Sequence, residues 1–348
     1  MSMTGQPKQA QRRTSLRMAP SQRVVMADVA ARAGVSVMTV SRVLNGFLGV
    51  SGDTRRRVEE AVGHLGYQAN TAARVLAGGR SRTLGVIAVE TQQFGPSHAL
   101  FGIEAAARAA GHGLSFVTLS PTGSDMAETL DRLRASHVEG VIAIAPVEGV
   151  INALADVHSE LPFVVAGGDP GVRFPTVSLD QEQGALRATQ HLLDRGHATV
   201  HHVRGPKGWR DAEGRVRGWT SALRIAGAPR PRPLVGDWSA ASGYRVGQRL
   251  VNQAGVTAVF AANDQMALGL IRAFHDAGRS IPDDVSVVGF DDTPESAYFV
   301  PSLTTIRQDF NELGRQCVAL MRSLLDDHEA DRRVVPAELV ERESTAAP

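Results

Sequence analysis

Residues 24–45 read VVMADVAARAGVSVMTVSRVLN, and the fold turns on how this stretch is parsed. Apolar residues fall at helical spacing in two short runs, Met26-Val29-Ala30-Ala33 and Val40-Val43-Leu44, separated by Gly34-Val35-Ser36. Gly34 can take the positive φ that stops one helix, Ser36 can cap the free N–H groups opening the next, and Val35 sits where a turn residue tucks between them. A third helix is expected over residues 52–65, where Val58, Ala61, Val62 and Leu65 make one apolar face. Three short helices with this turn form a helix-turn-helix unit, and the second presents Val37, Met38, Ser41 and Arg42 on its outer face, where a major groove would lie. An ordinary αα-hairpin shares the turn and the periodicity, so charge placement weighs between the two. Residues 1–82 hold 13 Lys and Arg against 4 Asp and Glu, a balance of +9, while the remaining 24 against 32 give −8. A near-neutral chain thus joins a basic end, suited to neutralising phosphates, to an acidic body.

At 348 residues the chain suits two or three domains, and 43% hydrophobic with 21% charged residues describes a folded globular protein. The single Cys317 excludes an intramolecular disulfide and fits a reducing cytoplasm. No apolar run reaches the roughly 18 residues of a membrane helix. The opening MSMTGQPKQAQRRTSLRMAP has charges but no apolar signal core, so residues 1–22 read as a disordered basic tail and a cytoplasmic location is expected.

Residues 70–82, NTAARVLAGGRSR, read either as a Gly-rich linker or as a helix capped by Asn70 and stopped by Gly78-Gly79. Two turns are too few to persist alone in water, so such a helix needs a partner. From Thr83 onward, strand-length apolar segments at 84–89, 114–119, 141–145, 163–165, 176–179, 200–203, 258–262 and 285–289 alternate with helical patterns at 98–110, 125–135, 183–194, 211–226, 242–252, 264–276 and 311–325. This alternation predicts an α/β body of two doubly wound parallel sheets with a cleft between them, ligands lying at the carboxyl ends of the strands.

Polar residues cluster just after those strands. Asn263 and Asp264 follow one, Asp291 and Asp292 another, Asp180 and Gln183 a third; Arg215 lies on the helix after 200–203 and Trp238 in the loop 236–239. Carboxylate, amide and guanidinium groups bind vicinal hydroxyls, and an indole packs on the apolar face of a pyranose, so together they make a polyol or sugar site. Each also has a plainer reading: Asn263 or Asp264 as a helix cap, Asp291-Asp292 as a turn, Arg215 as a surface partner of Asp211 or Glu213, Trp238 as core filling. His201 and His202 point to opposite faces of a strand, which argues against a shared metal. No dinucleotide fingerprint, phosphate loop, nucleophile elbow or paired-His metal motif is present, so an enzyme and a cofactor are both disfavoured.

The stretches DVAARAGVSVMTVSRVLNG at 28–46, NTAARVLAGGRS at 70–81, GDWSA at 236–240, ANDQMALG at 262–269, DVSVVGFDDT at 284–293 and LTTIRQDF at 303–310 resemble the lac repressor and galactose repressor family of bacterial transcription regulators, in order and spacing, over residues 24–346. The resemblance implies a cytoplasmic homodimer that reads pseudo-palindromic operator DNA and is released by a sugar effector. It implies base reading by Val37, Met38 and Arg42, backbone or groove-edge contacts from Ser36, Thr39, Ser41 and Asn45, and a hinge helix at 70–81 whose Asn70, Ala73 and Leu76 meet DNA, Leu76 as a minor-groove wedge. It implies a periplasmic-binding-protein-like effector pocket of Gln183, Arg215, Trp238, Asn263, Asp291 and Phe310. The implied domains are a helix-turn-helix at 23–69, the hinge at 70–81, one Rossmann-like subdomain from 82–195 and 308–328, and a second from 196–307 and 329–348. The competing readings are a corepressor-dependent, purine-type regulator of the same fold and a solute-binding protein.

Overall fold

The computed structural model describes residues 24–44, 47, 49–67, 80–89, 92–157, 160–167, 174–329 and 331–348. The expectations for the tail, for Asn45 and for the hinge residues Asn70, Ala73 and Leu76 lie outside the described residues. Contacts divide the chain into two units, one ending at Arg80 and the other beginning at Ser81.

The first unit holds α1 (Met26–Ala33), α2 (Val37–Leu44) and α3 (Gly52–Leu65). Gly34 takes φ +64° and its N–H reaches back to Ala30 and Ala31, the left-handed stop its position requires. Val29, Ala30, Ala33, Val40, Val43, Val58 and Ala61 close the core, with Val35 packed against it. Those are the residues at helical spacing, so periodicity alone identified the buried face.

The second unit is built on two parallel sheets. The first orders its strands β11 (Arg333–Val335), β5 (Thr176–Leu179), β4 (Phe163–Ala166), β3 (Val141–Ile144), β1 (Thr83–Ala88) and β2 (Gly113–Thr118). One face packs on α4 (Phe94–Ala109) and α11 (Phe310–Leu325), the other on α5 (Met126–Ala135) and α6 (Glu148–Ala155). The second orders β7 (Leu234–Val235), β6 (His201–Arg204), β8 (Ala258–Ala261) and β9 (Ser286–Val288). It lies between α9 (Ala240–Val251) with α10 (Asp264–Asp276) and α7 (Gln181–Asp194) with α8 (Arg210–Ala226). A separate antiparallel pair joins β10 (Thr305–Gln308) to β12 (Ala337–Val340).

Two expected boundaries move. The chain leaves the first sheet at Asp180 rather than at 195, because the apolar face of α7, Ala185, Ala188 and Leu192, packs with Trp219, Phe260 and Phe290 of the second layer. A helix after a strand shows an apolar face without showing which sheet it will cover. Likewise Arg333–Val335 pairs with Val177–Leu179 of the first sheet, so 329–348 does not fall wholly in the second layer. The chain therefore crosses between layers near 180, 309 and 336. Glycines let the helices meet closely. A side chain at Gly102 of α4 would overlap the Phe310 carbonyl, and one at Gly314 of α11 would overlap the Gly102 backbone.

Candidate functional site

In the first unit the second helix is opened by Ser36, whose Oγ accepts the Thr39 N–H at 3.1 Å and lies 2.9 Å from the Thr39 hydroxyl. With Val40 and Val43 turned to the core, the first turn of α2 points the other way: Val37 is 47% and Met38 64% exposed. Arg42 is exposed one turn on, and among the described residues it forms no ion pair. Burial of such large apolar side chains normally favours folding. Here two stand out on one helix face beside a cation, the arrangement a groove-entering helix needs.

In the second unit Arg215 sits between the layers. It donates through Nε to Gln181 Oε1 at 2.9 Å, through Nη1 to the Ala262 carbonyl, and through Nη2 to Asp291 Oδ1 at 3.3 Å. Its guanidinium lies 3.8 Å above the Phe290 ring. The plainer alternative, a surface pairing of Arg215 with Asp211 or Glu213, has no ion pair among the described residues; Glu213 binds Arg204 at 2.5 Å. Asp291, at φ +110°, also accepts from Gln308 Nε2 at 2.7 Å. Burial pushes its carboxyl up to about 6 even with Arg215 beside it, and Asp264, deeper still and near Asp291, is pushed up to about 8. Asp264 bonds the Thr293 N–H and the Thr305 hydroxyl, so it braces the loops instead of facing the cleft. Asp292 is likewise occupied by Arg307 and Arg342, both at 2.6 Å.

Asn263 does two things: Oδ1 caps the Met266 N–H at 3.0 Å, and Nδ2 holds the Trp238 carbonyl at 3.0 Å. That second bond fixes Trp238 at φ +72°, with its ring set against Trp209 edge to face at 5.5 Å. Arg215, Trp238, Asn263 and Asp291 line one small cavity together with Trp209 and Asp211. Phe310 lines an adjoining apolar cavity with Gln181, Gln308 and Asp211.

Gln183 is the expected residue that the structure leaves apart. It is exposed on α7 and lines a third, polar cavity, while Gln181 faces Arg215. Two residues along a helix are about 200° apart, so only one of the pair can face the cleft. Four residues escaped the sequence reading: Gln181, Trp209, Asp211 and Gln308. Trp209 and Asp211 lie at and beyond the end of the five-residue loop after β6, farther from their strand end than Asn263 is from β8, and Gln308 closes β10, a strand whose alternation is too short to read.

With this geometry in view, the comparisons with known proteins are consistent. A family model described as bacterial regulatory proteins, lacI family, matches residues 25–70, and one described as a periplasmic binding protein-like domain matches residues 189–345. The lactose operon repressor of Klebsiella pneumoniae is 33% identical over 331 residues, 93% of this chain and 93% of that protein. A lac repressor dimer bound to operator and the anti-inducer ONPF superposes with a TM-score of 0.83 at 32% identity, covering 93% of this chain and 99% of that one. A complex of the transcriptional regulator CelR with cellobiose gives 0.69 at 29% identity, covering 92% and 100%. Sequence, fold and coverage agree over nearly the whole length, and the chain belongs to the lacI family of bacterial regulatory proteins.

Proposed function

We propose that this chain is a transcriptional repressor that binds operator DNA as a homodimer through α2 and is released by a sugar held by Arg215, Trp238, Asn263, Asp291 and Phe310. The observation that carries it is the first turn of α2, a capped helix start with Val37 and Met38 turned outward from a three-helix core, in a chain that also holds a buried, polar, aromatic-walled cleft. Val37, Met38 and Arg42 read bases; Ser36, Thr39, Ser41 and Asn45 hold the backbone. The segment 70–81, too short to stay helical without a partner, supplies the coupling, with Leu76 entering the minor groove beside Asn70 and Ala73.

The switch is a linkage. A sugar that favours one arrangement of the two layers weakens DNA binding, and operator must then weaken sugar binding by the same factor. The test selects genomic fragments bound by the purified full-length protein. Fluorescence anisotropy then measures its affinity for a selected duplex with and without a panel of mono- and disaccharides. Tight binding to a selected duplex that one sugar weakens supports the reading. Indifference to every fragment at moderate ionic strength overturns it, and a ligand that tightens the complex reverses the sign of the switch.

A further inference from the structure

The geometry points to Glu139 as a positioning residue for DNA binding: its carboxylate fixes the direction in which the segment 70–81 enters the second unit, and through that segment the affinity for operator. The inference rests on the coupling role given to 70–81 above and names the side chain that anchors it.

The second unit begins at Ser81, and Arg82 is the last residue before β1. Arg82 takes φ +52°, the left-handed region that a residue with a Cβ enters only at a cost, so something must hold it there. Three hydrogen bonds surround it. Gly113 N–H donates to the Arg82 carbonyl at 2.8 Å, Glu139 N–H donates to the Thr83 carbonyl at 2.9 Å, and the Arg82 N–H donates to Glu139 Oε1 at 2.7 Å. The first two are backbone bonds at the starts of β2 and β3, and any side chain at 139 would leave them in place. The third reaches a side chain 57 positions along the chain, so it is the hold that the residue at 139 supplies.

Glu139 is an expensive residue to keep in this place. Its side chain is only 10% exposed, and its second oxygen, Oε2, is buried with no hydrogen-bond partner. His112 Nε2 stands 3.8 Å from Oε2, within ion-pair range but too far for a hydrogen bond, and His112 Nδ1 is buried and unpartnered as well. A carboxylate buried with half its acceptor capacity unused weighs against folding, so its presence is accounted for by what the other oxygen does. That oxygen grips the chain where it joins β1. Because Oε2 is unbraced, the grip is a single bond that can be let go. Once released, Arg82 can return to negative φ, a turn of roughly 100° or more about one backbone bond, which redirects the segment that precedes it.

Fluorescence anisotropy on the full-length protein tests this, with a duplex selected from genomic fragments and a scrambled duplex of the same length. Glu139→Ala lowers affinity for the selected duplex about tenfold or more and leaves the scrambled one within about twofold, because non-specific binding draws on phosphate contacts that do not depend on the segment's direction. Glu139→Gln keeps an acceptor for the Arg82 N–H while giving up the charge, and it restores the parent affinity to within about threefold. Melting curves verify that each variant is folded. If Glu139→Ala is not, Glu139→Asp, whose oxygens are drawn back by one methylene, replaces it with the same expectation. Unchanged affinity for the selected duplex overturns the proposal, as does an equal loss on both duplexes or a Gln variant as weak as the Ala variant. A parent protein that prefers no duplex overturns instead the operator reading beneath it.

Discussion

Arg215 Nη2 lies 3.3 Å from Asp291 Oδ1 with both side chains almost out of solvent, and Gln308 shares the same oxygen. Breaking a buried pair from one side strands the other charge, at a cost of about 3–5 kcal/mol. Arg215→Ala should therefore melt markedly earlier than the parent by calorimetry. Asp291→Asn keeps the shape and loses the charge. It should weaken sugar binding tenfold or more, since a hydrogen bond to a charged group contributes roughly 1.5–3 kcal/mol. In anisotropy titrations the operator complex of this variant should survive sugar concentrations that dissociate the parent.

The same carboxyl gives sugar binding a pH dependence. Asp291 sits at about 6 in the ligand-free protein, and sugar hydroxyls that donate to it favour the ionised form. Binding then releases a proton near pH 6, so affinity should fall as pH drops below about 6 and level off above it. Calorimetry at pH 6 in two buffers of different ionisation enthalpy would show the released proton. A flat profile between pH 5 and pH 8 would separate Asp291 from the sugar.

On the DNA side, the proposed base-reading role of Met38 predicts that Met38→Gln changes which operator bases are preferred while leaving the salt dependence of binding alone, because no charge is altered. Ser36→Ala removes the acceptor for the Thr39 N–H and should cost about 1 kcal/mol of unfolding stability in the first unit. Randomised-duplex selection and denaturant melts, respectively, read the two effects.

Gly314→Ala should destabilise the second unit by about 1–3 kcal/mol, since an added methyl meets the Gly102 backbone and forces α4 and α11 apart. Thermal unfolding of the variant is the measurement. No loss of melting temperature would mean that the two helices give way freely.

His202 supplies an acid test. It is fully buried against Phe260, ring centroids 4.6 Å apart, and its Nδ1 lies 2.9 Å from the Phe260 carbonyl. Burial holds its protonation down to about 3, against an ordinary value near 6.5. Between those values the unfolded chain takes up a proton that the fold refuses. Its contribution to stability is whole above pH 6.5 and drains away as pH falls toward 3. His202→Leu should accordingly lose less melting temperature than the parent between pH 7 and pH 4.

Strong local signals were legible in the sequence. The periodicity of 26–44 and the residues Gly34 and Ser36 located the first two helices, and near-continuous apolar runs located the long strands. Positions directly after strands led to Asn263 and Asp291 because a parallel sheet presents its carboxyl ends together. What the sequence hid is settled by contacts far along the chain. Nothing local tells α7 to pack on the second layer, and the pairing of Arg215 with Asp291 joins residues 76 positions apart that no local pattern connects. Gln183 and Gln181 differ only in helical phase, and phase needs the exact start of the helix at Gln181.

The threefold crossing of the second unit bears on how a ribosome delivers this protein. Arg333 pairs with Val177, and Leu339 with Ile306, so strands at 333–340 are needed by partners synthesised long before them. The three N-terminal helices close on contacts among neighbours and need nothing that is synthesised later. Synthesis from the N-terminus therefore offers the three-helix unit all its core partners well before the second unit receives the strands at 333–340.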